Sequence, residues 1–404
     1  MPSSFQDLAD SIDQATRDGQ LPGVVLAALD KSGTDVFSHA SGPLSVTDPG
    51  QASISLDSVF ALASCTKLVT TVAALQCVDQ GLVELDLPLD KHLPELAALQ
   101  LIAPDETAKN GYVLHEAKKG ITLRELLTHT SGVAYDMLSP QLQAWQTEHR
   151  GQPSLAFVGK FFGAMDVPLI FERGQSWMYG ASLDWVGILI GRLSGMSLSA
   201  FCAKNIFDPL GMTATIFHLE SSDSIRSRLV PMCTRTPEGN LIAGGFQLAD
   251  PAVDDLGGLG LYSSARDYLR LLQDLVQEKP SLLSSSMVEE MFTPQLPDGS
   301  SSLADMKRFG PLLWGFYMSD SEPLVNHGLG AIITTGNNAT SGTPAGVLRW
   351  SGYTGPLWAA SRELGIAWLL ATQITPFGDS KVGAVAETFS RAVFNHAGGG
   401  SSQP

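Results

Sequence analysis

The sequence predicts an α/β (α+β) protein in which an antiparallel sheet is flanked by helices and carries an inserted helical lobe. Strand-like segments occur near both ends of the chain, and helical patterns dominate its middle. Strands that follow each other directly along a chain favour antiparallel pairing. A chain of 404 residues with 44% hydrophobic content exceeds the usual size of one lobe. We therefore expect a single domain in two lobes: a sheet lobe of residues 1–60 plus about 240–396, a helical lobe of about 61–239, and a disordered tail, 397–404.

The two ends of the chain supply the predicted sheet. A helix over about Phe5–Arg17 precedes two strand-like runs around a turn at Ser32 and Gly33. Near the other end, "GVLRWSGYTGPLWAASRE" and "GIAWLLATQI" predict a hairpin that turns through residues 363–365. A closing helix is expected near residues 382–394.

The middle of the chain predicts helices. In "TKLVTTVAALQCVDQG" the apolar residues recur at helical spacing until Gly81, which predicts a buried amphipathic helix that begins near Ser64. The segments "ITLRELLTHTSG" and "SLDWVGILIGRLSG" carry further helical patterns. In the second of these, Ser182 is expected to cap the helix and Gly195 to end it.

Composition and charge exclude several functional classes. The formal net charge is −16 and the longest basic run is the pair Lys118 and Lys119, which argues against nucleic acid or an anionic membrane as a partner. The acidic N-terminal region does not fit a signal peptide, and no run of about 18 apolar residues occurs. We expect a cytoplasmic protein that acts on a small molecule. The sequence does not indicate its oligomeric state.

The cysteines and histidines indicate no cofactor. The four cysteines have neither metal-like spacing nor the density of a secreted domain, so they are expected to be free thiols: Cys65, Cys77, Cys202 and Cys233. No histidine-rich or carboxylate cluster predicts a metal site.

Ser64 and Lys67 form a Ser-x-x-Lys pattern at the start of the first central helix. A lysine three residues after a serine projects from the same side of a helix, and the helix N-terminus adds free N–H groups and a positive dipole end. Such a pair can be a nucleophile with its base. The alternative, which this stretch leaves open, is a helix-capping serine beside a solvated lysine.

Two later segments strengthen the first possibility. Tyr179 immediately precedes the "SLDWVGILIGRLSG" helix, and Trp350, Ser351 and Gly352 lie on a late strand where a glycine allows close approach of the backbone to a ligand. Taken together, these three motifs resemble those of the serine β-lactamase and penicillin-binding protein family. More narrowly, they resemble class C β-lactamases, family VIII carboxylesterases and, above all, the fungal acyltransferases of statin biosynthesis.

This resemblance implies roles for particular residues. Ser64 is the implied nucleophile, Lys67 the group that takes its proton, and Tyr179 a second proton carrier. The backbone N–H groups of Ser64 and Tyr353 are the implied oxyanion donors, with the triplet from Trp350 through Ser351 to Gly352 forming the substrate-binding strand. Which of Lys67 and Tyr179 is the working base stays open.

Two departures from the family pattern bear on the substrate. Many relatives have Tyr-x-Asn where this chain has Tyr179, Gly180 and Ala181, so an amide that would hold an amide-bearing substrate is missing. The β-lactamase motif begins with a lysine where this chain has Trp350, which replaces an anion site by an apolar platform. Antibiotic hydrolysis is therefore not the expected activity.

Other candidate residues have a simpler structural explanation. His129 can be a hydrogen-bonding residue at a helix end instead of a general base. Cys65 points about 100° around the helix from Ser64 and can fill the core. Asp184 lies in the first turn of a helix, where a favourable interaction with the helix dipole explains an acidic residue without a role in orienting the tyrosine loop. Five aromatic residues can either line an acyl pocket or pack in the core: Trp177, Trp185, Trp350, Tyr353 and Trp358. We favour only Trp350 and Tyr353 as pocket residues.

The sequence thus predicts a serine carboxylesterase that hydrolyses a small to medium ester, of the polyketide or statin type of secondary metabolite, through an acyl-enzyme on Ser64. An acyltransferase that passes the acyl group to an alcohol is the alternative. A third possibility, a binding protein without catalysis, is disfavoured because the three implied catalytic positions are intact.

Overall fold

The computed structural model describes residues 4–50, 52–246, 248–310, 324–338 and 342–399. The strands are β1 (Val24–Asp30), β2 (Asp35–Ser41), β3 (Val59–Ala61), β4 (Gln100–Pro104), β5 (Tyr112–Glu116), β6 (Cys233–Arg235), β7 (Leu241–Ala243), β8 (Tyr262–Ser264), β9 (Val325–His327), β10 (Ile332–Thr334), β11 (Val347–Ser351), β12 (Leu357–Ser361), β13 (Ile366–Ala371) and β14 (Ile374–Thr375).

Most of the helices lie in the middle of the chain, where six follow one another between β5 and β6. The helices are α1 (Phe5–Arg17), α2 (Thr66–Asp79), α3 (Pro94–Ala97), α4 (Leu123–Leu127), α5 (Pro140–Arg150), α6 (Ser182–Ser194), α7 (Leu198–Cys202), α8 (Asp208–Leu210), α9 (Asp223–Arg226), α10 (Ala265–Val276), α11 (Ser285–Met291), α12 (Ser301–Phe309) and α13 (Ser380–Gly399).

The main sheet joins the two ends of the chain, as predicted. Its seven strands lie in the order β2-β1-β13-β12-β11-β10-β9, and every neighbouring pair is antiparallel. Strand β1, the second strand from one edge, pairs with β13, with Val25 opposite Ala371 and Leu29 opposite Ala367. The sheet therefore cannot form without both terminal segments.

Both faces of this sheet are covered. Side chains alternate along β1, so Leu26 and Ala28 pack with helices α1 and α13, whereas Val25 and Ala27 face the larger core that includes α2 and α10. A strand that is buried on both faces needs a nearly continuous run of apolar residues. This explains why apolar and polar residues do not alternate along the strand segments. The boundaries of the two lobes stay a prediction.

The structure corrects three details of the sequence interpretation. Helix α2 is not amphipathic: every residue from Thr66 to Cys77 is buried, because the helix is enclosed by other elements, and the hydroxyl groups of Thr66 and Thr70 are hydrogen-bonded inside the protein. Ser182 does not cap α6, since Ala181 is the N-cap and the Ser182 hydroxyl bonds to Ser131 instead. Helix α13 continues to Gly399, so residues 397–399 are helical, whereas residues 400–404 of the predicted tail lie outside the described residues.

Within the described ranges, no single helix is long and apolar enough to span a membrane. The stretches Ser182–Ser194 and Leu198–Leu210 reach that length and apolarity only when they are taken together, across a 75° bend.

Candidate active site

Ser64 lies in a tight turn between strand β3 and helix α2. The turn is a 3₁₀ turn over Ala63–Cys65. Ala63 enters it with a φ of 45°, a left-handed conformation that costs free energy for a residue with a side chain. Ser64 is partly exposed while Ala63 and Cys65 are buried. The turn thus presents Ser64 at the surface of an otherwise buried segment.

Lys67 is fully buried one turn further along. Its Nζ donates to the Gly258 carbonyl at 2.8 Å, to the Tyr135 hydroxyl at 3.2 Å and to Ser64 Oγ at 3.4 Å. The Nζ atom also lies 4.6 Å from the centre of the Tyr179 ring. The alternative of a capping serine beside a solvated lysine is therefore wrong, because Lys67 has no exposed surface and α2 begins without a side-chain cap.

Tyr179 completes the group around Ser64. Its hydroxyl donates a hydrogen bond of 2.5 Å to Ser64 Oγ. The loop that carries it is pressed against residues 133–134, since a Cβ at Gly180 would lie 2.4 Å from Ala134 Cα. This contact holds the ring of Tyr179 above Ser64, so the Ser64 oxygen has both Tyr179 and Lys67 as hydrogen-bond partners.

The end of strand β11 lies directly against the Ser64 turn. A Cβ at Gly352 would lie 2.2 Å from the Leu62 carbonyl oxygen, so only glycine fits this approach. The Thr354 hydroxyl donates to the Ala61 carbonyl at 2.5 Å, and Cys65 Sγ donates to the Pro356 carbonyl at 3.7 Å. These contacts bring the backbone of residues 352–356 beside the Ser64 turn.

Two backbone N–H groups at this junction make no hydrogen bond. Within the described part of the chain, neither the Ser64 N–H nor the Tyr353 N–H donates to a protein acceptor. Unpaired donors are rare in folded proteins, and they are expected where a ligand oxygen binds. The family resemblance implies that these two groups are oxyanion donors, and this role stays a prediction.

Trp350, Ser351 and Tyr353 differ in exposure. Trp350 and Ser351 are both 6% exposed, and the Trp350 ring lies 5.6 Å from the Tyr179 ring, so it forms a wall of the site. Tyr353 is 39% exposed, and its ring contacts the rings of Phe157 and Phe246 at the site's outer edge. An aromatic rim of this kind favours apolar ligands.

Tyr135 is a member of the site that the sequence analysis missed. Its hydroxyl accepts from Lys67 Nζ, and burial raises its pKa well above the ordinary value of 10, so it stays protonated. No local spacing connects Tyr135 to Lys67, since 68 positions separate them. A single sequence carries no signal for this contact.

Asp184 and Gly258 form a second contact that the sequence did not predict. Asp184 lies in the first turn of α6 but points inward, and its Oδ1 accepts from the Gly258 N–H at 2.9 Å. The carbonyl of Gly258 is the closest acceptor of Lys67. The interaction of an acidic side chain with the helix dipole therefore does not by itself explain the position of Asp184.

The remaining candidates have structural positions. His129 ends helix α4 with a φ of 59°, and burial lowers its pKa well below 6.5, so the ring is neutral. Cys65 is fully buried, and burial raises the pKa of its thiol, so it is not a reactive thiolate. The tryptophans that we expected in the core are at most 1% exposed: Trp177, Trp185 and Trp358.

The described residues contain no group of three or more histidine, cysteine, aspartate or glutamate side chains that could hold a metal ion.

Comparison with known proteins places these features in context. A family model described as Beta-lactamase matches residues 8–389. The chain is 35% identical over 357 residues to acyltransferase calJ of Penicillium decumbens, covering 87% of this chain and 84% of that protein. It is 31% identical over 403 residues to lovastatin esterase of Penicillium rubens, covering 98% of each.

A solved structure shows the same likeness. Simvastatin synthase (LovD) from Aspergillus terreus, in its unliganded selenomethionyl form, matches with a TM-score of 0.87 and 28% sequence identity. The match covers 100% of both chains. The similarity thus extends over both the sheet and the helical region.

Proposed function

The chain belongs to the beta-lactamase family, as its motifs indicated, and from this we propose that it is a serine esterase that hydrolyses a small to medium carboxylic ester through an acyl-enzyme on Ser64. The observation that carries the proposal is the position of Ser64 Oγ. It is bonded by both Tyr179 and Lys67 and lies in the turn whose backbone adjoins the unpaired N–H of Tyr353.

In the acylation step, Ser64 Oγ attacks the ester carbonyl carbon. The negative charge that develops on the carbonyl oxygen is stabilised by the N–H groups of Ser64 and Tyr353, a contribution of about 10² to 10³ in rate per donor. The proton of Ser64 passes to the two side chains that are hydrogen-bonded to its oxygen, Tyr179 and Lys67, and from this pair to the leaving alkoxide as the ester C–O bond breaks. The alcohol departs, and the acyl group stays on Ser64.

In the second step, water attacks the acyl-enzyme. Its proton enters the same pair of Tyr179 and Lys67, the bond to Ser64 Oγ breaks, and the proton returns to Ser64 as the carboxylic acid leaves. An alcohol in place of water gives a new ester by the same steps. The alternative function, acyl transfer to an alcohol, is supported by the 35% identity to a protein named acyltransferase.

The walls of the site favour a neutral, apolar substrate. Trp350 occupies the position where β-lactamases carry the lysine that pairs with a carboxylate, and Ala181 is 1% exposed and offers no amide. The relative named lovastatin esterase supports a secondary metabolite ester of the polyketide or statin type. A binding protein without catalysis is disfavoured, because it would not need the buried Lys67 and the strained turn at Ala63.

Trapping of the acyl group tests this function. The protein is incubated with p-nitrophenyl esters of graded chain length, and its intact mass is recorded during turnover. The wild-type protein should gain one acyl group located on Ser64, and Ser64→Ala should gain none while keeping its fold. As a matched control, the buried Ser182→Ala should still be acylated. Unchanged esterase activity in Ser64→Ala would refute the proposal.

Some expectations stay predictions. These are a cytoplasmic location, the absence of nucleic acid and membrane as partners, and the division of the chain into a sheet lobe and a helical lobe.

A further inference from the structure

Asp184 is a buried carboxyl group without a cationic partner at contact distance. It is 1% exposed, and within the described part of the chain it forms no salt bridge. Its Oδ1 accepts from the Gly258 N–H, and its Oδ2 has no hydrogen-bond partner among the described residues, although the Tyr135 hydroxyl lies close enough to act on the carboxyl group. A carboxylate in such surroundings is expensive to bury.

This burial costs folding stability at neutral pH. Burial raises the pKa of Asp184 to about 6, although the positive charge of Lys67 acts in the opposite direction. A carboxyl group in the unfolded chain ionises at its ordinary value of 3.8, so ionised Asp184 opposes folding above pH 6. The fold would be more stable with an uncharged residue here, which points to a role in the site rather than in the framework.

Gly258 connects Asp184 to Lys67. Its N–H donates to Asp184 and its carbonyl accepts from Lys67 Nζ, so the two charged groups bind opposite polar groups of one residue. A Cβ at Gly258 would lie 2.3 Å from Asp184 Oδ2, so no other residue permits this approach. The Thr70 hydroxyl donates to the Gly257 carbonyl at 2.7 Å and fixes the neighbouring backbone.

Three of the other titratable groups around Lys67 are neutral. Burial keeps the Cys65 thiol and the Tyr135 hydroxyl protonated and the His129 ring uncharged. Asp136, which also acts on Tyr135, has its carboxylate bound by Gln146, Ser154 and the Leu155 N–H. Tyr179, on the loop before α6, faces Lys67 with its ring. Asp184 is thus the anion whose field reaches Lys67 through Gly258.

We propose that Asp184 is a positioning residue that supplies the counter-charge for Lys67: acting through Gly258 and beside Tyr135, it favours the protonated form of Lys67 that arises when the proton of Ser64 is taken up. The inference rests on the proposed function. The proton balance of acylation is unchanged, since Asp184 neither gives nor takes a proton and acts only through its charge. Its part resembles that of a buried carboxylate beside a catalytic histidine, with a lysine in the place of the histidine.

A measurement of Lys67 protonation tests the inference without relying on activity. Lysine Nζ ¹⁵N resonances of the full chain are followed against pH, and the Lys67 signal is identified by its loss in Lys67→Ala. In Asp184→Asn, which keeps an oxygen for the Gly258 N–H, Lys67 should lose its proton at a pH lower by about one unit or more. In the control Asp136→Asn, another buried acid, this pH should stay as in the wild-type protein. An unchanged midpoint in Asp184→Asn would overturn the inference.

Kinetics and stability separate this role from a structural one. In Asp184→Asn the rise of the acylation rate with pH should move to lower pH, and the plateau rate should fall about tenfold or more because the base is weaker. The free energy of unfolding of Asp184→Asn above pH 6 should not be lower than that of the wild-type protein. A uniform loss of rate with an unmoved pH profile and lower stability would show that Asp184 only holds the fold. If the wild-type protein forms no acyl-enzyme, the proposed function fails, while the ¹⁵N titration still decides the inference.

Discussion

The Tyr179 hydroxyl donates to Ser64 Oγ at 2.5 Å and Lys67 Nζ donates to the same oxygen at 3.4 Å, so Ser64 Oγ joins the three side chains. Ser64 and Lys67 come from one helical turn, and Tyr179 lies 115 positions after Ser64. In the proposed mechanism the proton of Ser64 leaves through these two neighbours, so loss of either one should slow the same step.

We expect Lys67→Ala and Tyr179→Phe each to lower the acylation rate by about 10² or more, and the double variant to be hardly slower than the poorer single variant. The reason is that both residues serve one proton transfer. Single-turnover rates with a p-nitrophenyl ester, together with circular dichroism to confirm folding, measure this. Multiplicative losses in the double variant would contradict the shared role.

Gly352→Ala should lower kcat by about 10² with a smaller effect on KM. The added methyl group would meet the Leu62 carbonyl oxygen at 2.2 Å, so the backbone must shift and carry the Tyr353 N–H away from the Ser64 turn. Gly50→Ala is the matched control, since its Cβ would meet nothing within 4 Å. Wild-type kcat in Gly352→Ala would rule out the Tyr353 N–H as an oxyanion donor.

Trp350→Ala should increase the share of acyl groups that reach a bulky alcohol instead of water. The Trp350 ring packs against Tyr179 beside the predicted oxyanion donors, so its removal opens space where an acceptor must approach. The assay supplies an activated ester with a decalin-type alcohol and quantifies acid and ester products. Trp358→Ala, across from it on strand β12, controls for lost packing. A wild-type product that is mainly the transferred ester would favour the acyltransferase function.

The fold should lose stability as the pH falls from 6.5 towards 4, in part because of His327. Burial lowers its pKa to about 4, so below pH 6.5 the unfolded chain takes up a proton that the folded chain does not. In His327→Phe this loss should be smaller by on the order of 3 kcal/mol. Urea unfolding at pH 7.5 and 4.5 measures it, with exposed His115→Gln as control. An equal loss in His327→Phe and wild-type protein would contradict the prediction.

Local patterns in the sequence predicted the parts of the site that depend on short spacing. Ser64 and Lys67 lie three positions apart, and the end of α6 at Gly195 follows from glycine's access to left-handed backbone. Contacts between distant segments were not predictable. Lys67 meets Gly258 across 191 positions, and Asp184 meets Gly258 across 74, and no periodicity encodes such pairs.

The prediction that Ser182 caps α6 was wrong for a similar reason. A serine before a helical pattern favours a cap, but the hydroxyl of Ser131 offers Ser182 a buried partner 51 positions away, and tertiary structure overrides the local preference. Likewise α2 was expected to keep a polar face, and only the surrounding elements decide that its polar residues are enclosed.

The contact of Thr354 with Ala61 joins segments 293 positions apart, and this governs when a newly made chain can become active. The Ser64 turn leaves the ribosome long before the Tyr353 segment that must lie beside it, and strand β1 must wait for β13 before the sheet closes. Closing such long loops is slow, so folding of the site comes late in the life of the nascent chain. If Ser64 is the nucleophile that we propose, its site is complete only after the C-terminal strands have been synthesised.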